Sequence, residues 1–436
     1  MSTGVTRSQR WILALICAVA VSTIYAIQPV TEAAGRDLGL SPQSLGGLVA
    51  AGQIGYFAGL VVLVPLGDVV NRRRLITAHL ALTAVGTAIA AAAPNGVSVM
   101  AGLAIAGFFA VVVQVTVAYV AAVSEPGERG RNIGAVTSGV VIGILGVRVL
   151  AGALGDTVGW RAVYALLAAS CAALAIAARA RLHPDHRTSE VRYTQVLASM
   201  GRLVRTDRLL LSRGLIALFL FASFGTLWSG LALPLGAEPW KLGTTEIGLF
   251  GLAGLVGALG AARAGRWADS GRAQTITGWS LALLTGSWLL IAHARSSLWP
   301  LIAGIVLLDF AVQAVHVSSQ HLLTTAHPNR ASSVIGVYMA FYSLGSALGA
   351  ITTTWAYSSW GWLGSCWVGA IYALSALILW GLGQLGGIAR PADSSAEGAQ
   401  ARTNAEPRLW SPQPTARPAS APRSELECRA GSSEHP

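Results

Sequence analysis

The chain is 436 residues long, 53% hydrophobic and only 11% charged, whereas a soluble domain carries roughly a quarter charged residues. Water is not the main solvent of such a chain, and the composition points to a polytopic membrane protein. Its net charge of +11 is carried largely by arginines flanking apolar runs, so it reads as membrane topology and not as a nucleic-acid surface.

Apolar runs of roughly twenty residues recur from Trp11 to Trp380, each long enough to cross about 30 Å of hydrocarbon at about 1.5 Å per residue. The first follows Arg7 and Arg10 with no small-residue cleavage site before the next, so a retained helix is expected. Six spans are predicted at Trp11–Thr31, Gly46–Leu66, Leu75–Ala93, Ser98–Val123, Ile133–Gly155 and Arg161–Ala180. Residues 181–208 form a polar linker. Within it Val196, Leu197, Met200, Leu203 and Val204 take helical spacing beside Arg202, Arg205 and Arg208, the pattern of an amphipathic helix lying on the lipid surface. Six more spans are predicted at Leu209–Leu235, Ile247–Ala264, Thr275–Ala292, Leu298–Ala326, Val334–Tyr357 and Trp362–Leu385. From about Gly386 to Pro436, Ala, Pro, Ser, Glu and Arg displace the large apolar residues, and a disordered cytoplasmic tail is expected. The predicted organisation is two six-helix bundles, residues 1–180 and 209–385, with a linker at 181–208 and a tail at 386–436.

The arginines are distributed unevenly. With the N-terminus cytoplasmic, that side holds Arg7, Arg10, Arg72 to Arg74, Arg129, Arg131, Arg263, Arg266, Arg272, Arg330 and the arginine-rich linker; the other side holds only Arg36, Arg161, Lys241 and Arg295. Both termini are therefore expected in the cytoplasm. The two sets of spans are also related by a repeat. Ile133-Gly134 matches Ile335-Gly336, Gly143 matches Gly345, and Gly159-Trp160 matches Gly361-Trp362, all at an offset of 202 residues, with Asp68 and Asp269 at 201. Ordered matches at one offset argue for duplicated halves in the same orientation. Cys17, Cys171 and Cys366 lie in apolar spans and Cys428 in the tail; with no CxxC among them they suggest neither a disulfide framework nor a metal cluster.

After the second span the chain reads Pro65-Leu66-Gly67-Asp68-Val69-Val70-Asn71-Arg72-Arg73-Arg74, and the equivalent loop of the second half reads Gly265-Arg266-Trp267-Ala268-Asp269-Ser270-Gly271-Arg272. The first resembles the signature loop of the major facilitator superfamily, and the second is a degraded copy of it. The resemblance implies the twelve-helix, all-α major facilitator fold of two parallel six-helix repeats. It also implies a gating role for Asp68, Arg72, Arg73, Asp269 and Arg272, with Asp68 and Arg72 bracing the second span against the start of the eleventh. Tyr25-Ala26-Ile27-Gln28-Pro29, Gln53-Ile54-Gly55-Tyr56, and Leu308-Asp309 with Gln313 further resemble a bacterial subgroup on the drug:proton antiporter side. Members of that side exchange small amphipathic compounds for protons.

Two spans carry an ionisable group well inside the membrane, where charge costs several kcal/mol and marks function. Asp309 lies in the tenth span, followed by Gln313, His316 and Gln320 at four, seven and eleven residues. That spacing puts all four on one helical face, which should line water or substrate. Arg148 lies in the fifth span, and an Arg148–Asp309 pair that opens and closes with the two halves would tie proton uptake to their movement. Asp309, Arg148 and His316 are thus the candidate coupling groups. The eighth span repeats glycine at Gly251, Gly254, Gly257 and Gly260, a face that fits either sliding or static close packing. By resemblance the first, fourth, seventh and tenth spans line the cavity, which makes Tyr25, Gln28, Gln114, Tyr119, Trp228, Gln313 and Gln320 candidates to meet substrate.

No Walker loop, dinucleotide fingerprint, HExxH or GxSxG occurs, so ATP drive, hydrolysis, a cofactor and a metal are not indicated and an enzyme is not expected. The expected function is secondary transport of a small amphipathic molecule by alternating access, as proton-coupled efflux from a monomer in a bacterial inner membrane. The alternatives are an uncoupled facilitator or proton-driven importer, or a non-transporting sensor on the same scaffold. Expected partners are the small-molecule substrate, protons and the lipid bilayer.

Overall fold

In a computed structural model of the chain, residues 5–125, 128–183, 193–260, 273–327 and 331–385 are described, with backbone only for Asp68, Val196, Ser199, Ala331 and Ser332. The tail from Gly386 and the loop holding Asp269 and Arg272 lie outside the described residues. Apolar sequence with no water to bond its backbone is stable in hydrocarbon only as helix, and helices follow one another throughout. They are α1 (Arg7–Tyr25), α2 (Ile27–Asp37), α3 (Leu45–Val62), α4 (Arg72–Ala92), α5 (Gly96–Ala110), α6 (Val112–Val123), α7 (Arg129–Thr157) and α8 (Trp160–Arg181). Then come α9 (Tyr193–Thr206), α10 (Arg208–Gly230), α11 (Ala232–Gly236), α12 (Thr244–Gly260), α13 (Ala273–Ile291), α14 (Leu298–Ala326) and α15 (Ala331–Leu385).

Ten helical segments are long and apolar enough to cross a membrane, and the apolar α12 is somewhat shorter. The last of the ten is two spans, because α15 is broken by non-helical Gly361. Twelve crossing segments result among the described residues. The first, fourth and seventh each consist of two consecutive helices, meeting at Ala26, Val111 and Leu231. Large apolar side chains such as Trp11, Ile142, Ile176, Leu289, Trp299 and Trp367 are exposed on the outside, as a lipid-facing surface requires.

The repeat seen in the sequence has a structural meaning. Gly143 brings α7 against the backbone of α1 at Ala18, and its counterpart Gly345 brings α15 against the backbone of α10 at Leu218. Gly159 (φ 88°, ψ 158°) and Gly361 (φ 67°, ψ −162°) both turn the chain between the last two spans of a half, in a region of backbone space that only glycine enters freely. Between the halves, α3 packs on α15 and α7 packs on α12. Span two of each half thus meets span five of the other, the exchange expected of two parallel repeats around one central axis.

The described helices belong to one compact unit, Met1–Ala389. At one end of it, hereafter the basic end, Gln9 Nε2 donates to the Arg181 carbonyl at 2.9 Å and Arg73 Nη2 to that of Arg179. The amphipathic α9 lies at this end. Part of its apolar face is covered by protein: Met200 and Leu203 are buried, and α9 packs on α10, on the start of α15 and on the short turn Val64–Asp68. Its apolar face suits a protein groove as well as a bilayer, and the groove between the halves takes part of it.

The backbone at Gly361 and Gly159 generates a stability prediction. Alanine at either position should lower thermal stability in detergent by about 1–3 kcal/mol. Alanine at Gly286, whose added Cβ would meet nothing within 4 Å, should leave stability unchanged or raise it slightly. Equal midpoints for all three variants would contradict the strain assignment.

Candidate transport site

Four helices converge on Arg148, in the second half of α7. The first span continues past Ala26 into α2, where Gln28 Oε1 accepts from Arg148 Nε at 3.1 Å and Nη2 at 3.0 Å. Trp228 of α10 presents its ring face 3.7 Å from the guanidinium carbon, a cation–π contact strengthened by burial. Asp309 comes from α14. Arg148 is 1% and Asp309 2% exposed, yet Arg148 Nη1, Trp228 Nε1 and Asp309 Oδ2 are buried without hydrogen-bond partners. No Arg148–Asp309 ion pair is closed within 4.0 Å, so the pairing expected from the sequence is not made in this conformation.

The glycine face of α12 supplies the space for this cluster. A Cβ on Gly251 would stand 3.2 Å from Arg148 Cβ, and one on Gly257 would stand 3.1 Å from Asp309 Cβ. At Gly254 it would be 2.9 Å from Trp228 Cζ2 and 3.2 Å from Asp309 Oδ2, so the indole edge and the carboxylate converge on one point. Beside Gln28, Arg148, Trp228 and Ile247 a cavity of about 10 Å³ remains, close to what a single water requires.

His316 lies seven residues beyond Asp309, about 10 Å along α14. Gln320 Nε2 lies 2.9 Å from His316 Nε2 and donates to it, which leaves Nδ1 to donate to the Tyr338 hydroxyl at 3.1 Å. Phe221 stacks edge-on against His316 and against Tyr342, and the Tyr342 hydroxyl meets that of Tyr25 across the two halves. An aromatic layer of Tyr25, Phe221, His316, Tyr338 and Tyr342 therefore crosses the centre. Gln313 is half-buried on the same face of α14.

Toward the basic end, a cavity of about 280 Å³ opens between the halves, lined among others by Val64, Gln114, Val117, Met200, Thr324 and Gly336. Gln114 donates to the Tyr56 hydroxyl at 3.1 Å. Tyr119 does not line this cavity; its hydroxyl donates to the His183 carbonyl at 3.1 Å. Arg72 is buried at the same end, and Arg73 ties α4 to the end of α8.

The opposite end is shut. The Asp156 carboxylate, at the end of α7, accepts from Thr244 N at 3.0 Å, Thr244 Oγ1 at 2.6 Å and Thr245 N at 2.7 Å. It thus caps the first turn of α12 from the other half, where the positive helix end favours an anion. The sequence reading missed this latch, although Asp156 at one helix end and Thr244-Thr245 at another helix start are ordinary capping signals. It also missed Tyr338 and Tyr342, which share a face of α15 at a spacing of four.

Two outcomes follow from this geometry. Asp156→Ala should favour opening of the shut end by about 1.5–3 kcal/mol, the scale of hydrogen bonds to a charged group. A cysteine placed at Ile247 should then react faster with an impermeant maleimide, and an unchanged rate would remove the latch role. Gly254→Val should drive its side chain into Trp228 and Asp309, costing about 1–3 kcal/mol of stability; tryptophan fluorescence and thermal unfolding both read it, and wild-type values would contradict the socket.

The comparisons with known proteins agree with this architecture. The model of the Major Facilitator Superfamily matches residues 11–338 and again 215–421. The chain is 37% identical over 369 residues to the uncharacterized transporter YgaY of Escherichia coli O157:H7, covering 85% of this chain and 94% of the relative. Among solved structures, a bacterial homolog of the human lysosomal transporter Spinster, inward-facing and unoccupied, superposes with a TM-score of 0.73 at 15% identity, covering 86% of this chain and 95% of that one. A D-xylose-proton symporter superposes at 0.69 with 14% identity, covering 86% and 97%. The chain belongs to the major facilitator superfamily, and the fold that surrounds Arg148 and Asp309 is that of a multi-pass membrane transporter.

Proposed function

We propose that the protein is a proton-coupled exporter of small amphipathic molecules in a bacterial inner membrane, with the basic end cytoplasmic and both termini on that side. The observation that carries this reading is the buried Asp309 carboxylate, with one oxygen unpartnered, beside an Arg148 that belongs to the other half. A carboxylate in a low-dielectric interior is stable as an anion only when paired, and otherwise holds a proton.

In this reading the conformation with its cavity at the basic end has Arg148 held on Gln28 and Trp228, and Asp309 protonated. As substrate enters, Arg148 turns its Nη1 to Asp309, which ionises and releases its proton through the cavity at the basic end, and the paired state then moves to opening at the Asp156 end, where substrate leaves. Return of a proton from outside resets the pair. Substrate enters between Gln114 and Thr324 and is held at the aromatic layer, where ring faces and the neutral polar groups of His316 and Gln320 suit a flat amphipathic or cationic solute. The gating roles of Asp68, Arg72, Arg73, Asp269 and Arg272 remain part of the proposal, with Arg73 supported by its tie to α8.

The test is proton movement in vesicles of purified protein presented with amphipathic cations and neutral amphipathic compounds. Substrate-evoked flux should appear with wild type and fall to the level of empty vesicles with Asp309→Asn, while binding of the same compound persists. Intact flux in the variant would place coupling elsewhere. Substrate movement without any proton flux in wild type would favour an uncoupled facilitator.

A further inference from the structure

A second arginine is buried far from the transport site. Arg213 lies about one and a half turns into α10 and is 2% exposed. Its Nη2 donates to Gln274 Oε1 and its Nη1 to Thr277 Oγ1 at 3.4 Å, both on α13. Nε has no partner, and among the described residues no carboxylate lies within 4.0 Å of it. A guanidinium cannot shed its charge, and neutral dipoles compensate only part of the cost of burying it.

Beyond Gln274 Oε1 and Thr277 Oγ1, its surroundings offer more donors than acceptors. Gln384 Nε2 also donates to Gln274 Oε1, at 2.9 Å. That single oxygen is thereby shared by two donors, while Gln274 Nε2 and Trp380 Nε1 are buried with no acceptor. Three unpartnered N–H groups on α10, α13 and the second part of α15 thus cluster around one cation. The group that would satisfy them is an anion rich in acceptor oxygens.

The adjoining space has the shape for such a group with a tail. A groove of about 460 Å³ runs between α13 and α15, lined by Gln274, Gly278, Ala282, Leu377, Trp380 and Gln384 among others. Gln274, Gly278 and Ala282 are spaced by four on α13, so the groove is polar at the basic end and becomes apolar one turn further in. A side chain at Gly278 would run into the Trp380 ring. A second space of about 10 Å³ lies between Arg213 and the groove and shares Trp380 and Gln384 as walls. The groove faces the lipid side, where Trp279 is 76% exposed and Leu382 is also exposed.

We propose that this groove is a site for an anionic phospholipid. The phosphate sits at Gln274, Trp380 and Gln384 over the charge of Arg213, and one acyl chain runs along Gly278, Ala282 and Leu377. The uncompensated positive charge selects an anionic headgroup over a zwitterionic one, and the apolar length selects lipid over free phosphate.

The experiment is thermal unfolding of the full-length protein in detergent, titrated with phosphatidylglycerol, phosphatidylcholine or inorganic phosphate, with native mass spectrometry to count retained lipid. Phosphatidylglycerol should raise the midpoint of wild type and be retained one per chain, and the other two should not. Arg213→Gln should abolish the rise. Because that variant risks misfolding, Ala282→Trp provides an independent arm: it fills the apolar end, leaves Arg213 untouched, and should abolish the rise from an unchanged starting midpoint. An equal rise with phosphatidylcholine, an equal rise with inorganic phosphate, or a rise preserved in both variants would overturn the proposal.

Discussion

A guanidinium at the centre of a bundle with a hydrocarbon-like outside imposes conditions on everything around it. Arg148 stays charged, so it needs dipoles and π-density in contact and a negative charge within reach. Gln28, two residues past the junction of α1 and α2, supplies a carbonyl oxygen. Trp228 supplies a ring face, and α12 supplies no side chain at three successive positions facing the cluster. The cluster draws on α2 and α7 from the first half and on α10, α12 and α14 from the second. No rearrangement between the halves can leave it unchanged, and on this the proposed coupling rests.

That motion needs surfaces that part at low cost. The two inter-half contacts are built from small residues meeting backbone: Gly46 against Ala350 where α3 meets α15, and Gly152 against Thr244 and Gly248 where α7 meets α12. Such surfaces gain dispersion over a short approach but do not interdigitate deeply, so separation forfeits contact without forcing rotamer changes. Polar contacts across them include Asp156 on α12 and Thr354 Oγ1 donating to the Gln43 carbonyl at 3.3 Å at one end, and Ser343 Oγ donating to the Gln53 carbonyl at 2.6 Å further in. At the basic end the halves are held apart by a cavity, with α9 seated at its rim.

Much of this was legible in the sequence because hydrocarbon leaves few options. Span positions followed from apolar length, and the tenth was bounded at Leu298 and Ala326 as α14 is. The repeat offset located Gly143 with Gly345 and Gly159 with Gly361, residues whose roles rest on backbone geometry that substitution cannot mimic. The polar face of α14 was readable from the four- and seven-residue spacings alone. Other features depend on rotations and approaches between helices, which spacing along one helix does not carry. Among 14 tryptophans, nothing in the sequence singles out Trp228 as the platform for Arg148. The same holds for the distance between Arg148 and Asp309, for Tyr342 meeting Tyr25, and for α9 packing Met200 and Leu203 on protein, since an apolar helical stripe looks the same beside protein or lipid.

The two buried arginines show how the same cost can be met in opposite ways. Arg148 has its counter-charge inside the protein but on the other half, so in the proposed cycle compensation is complete only in some arrangements of the halves and the charge is an element of movement. Arg213 has no counter-charge among the described residues, and its contacts on α13 lie in the same half. A lipid phosphate seated there would join α10, α13 and the second part of α15 whichever way the halves lie. Arg213 and Trp228 stand fifteen positions apart on α10, about 22 Å along one helix. If a lipid fixes one end of that helix within its own half, the other end becomes a firmer platform, and in the proposed cycle a firm Trp228 lets a small displacement of Arg148 become a change of partner.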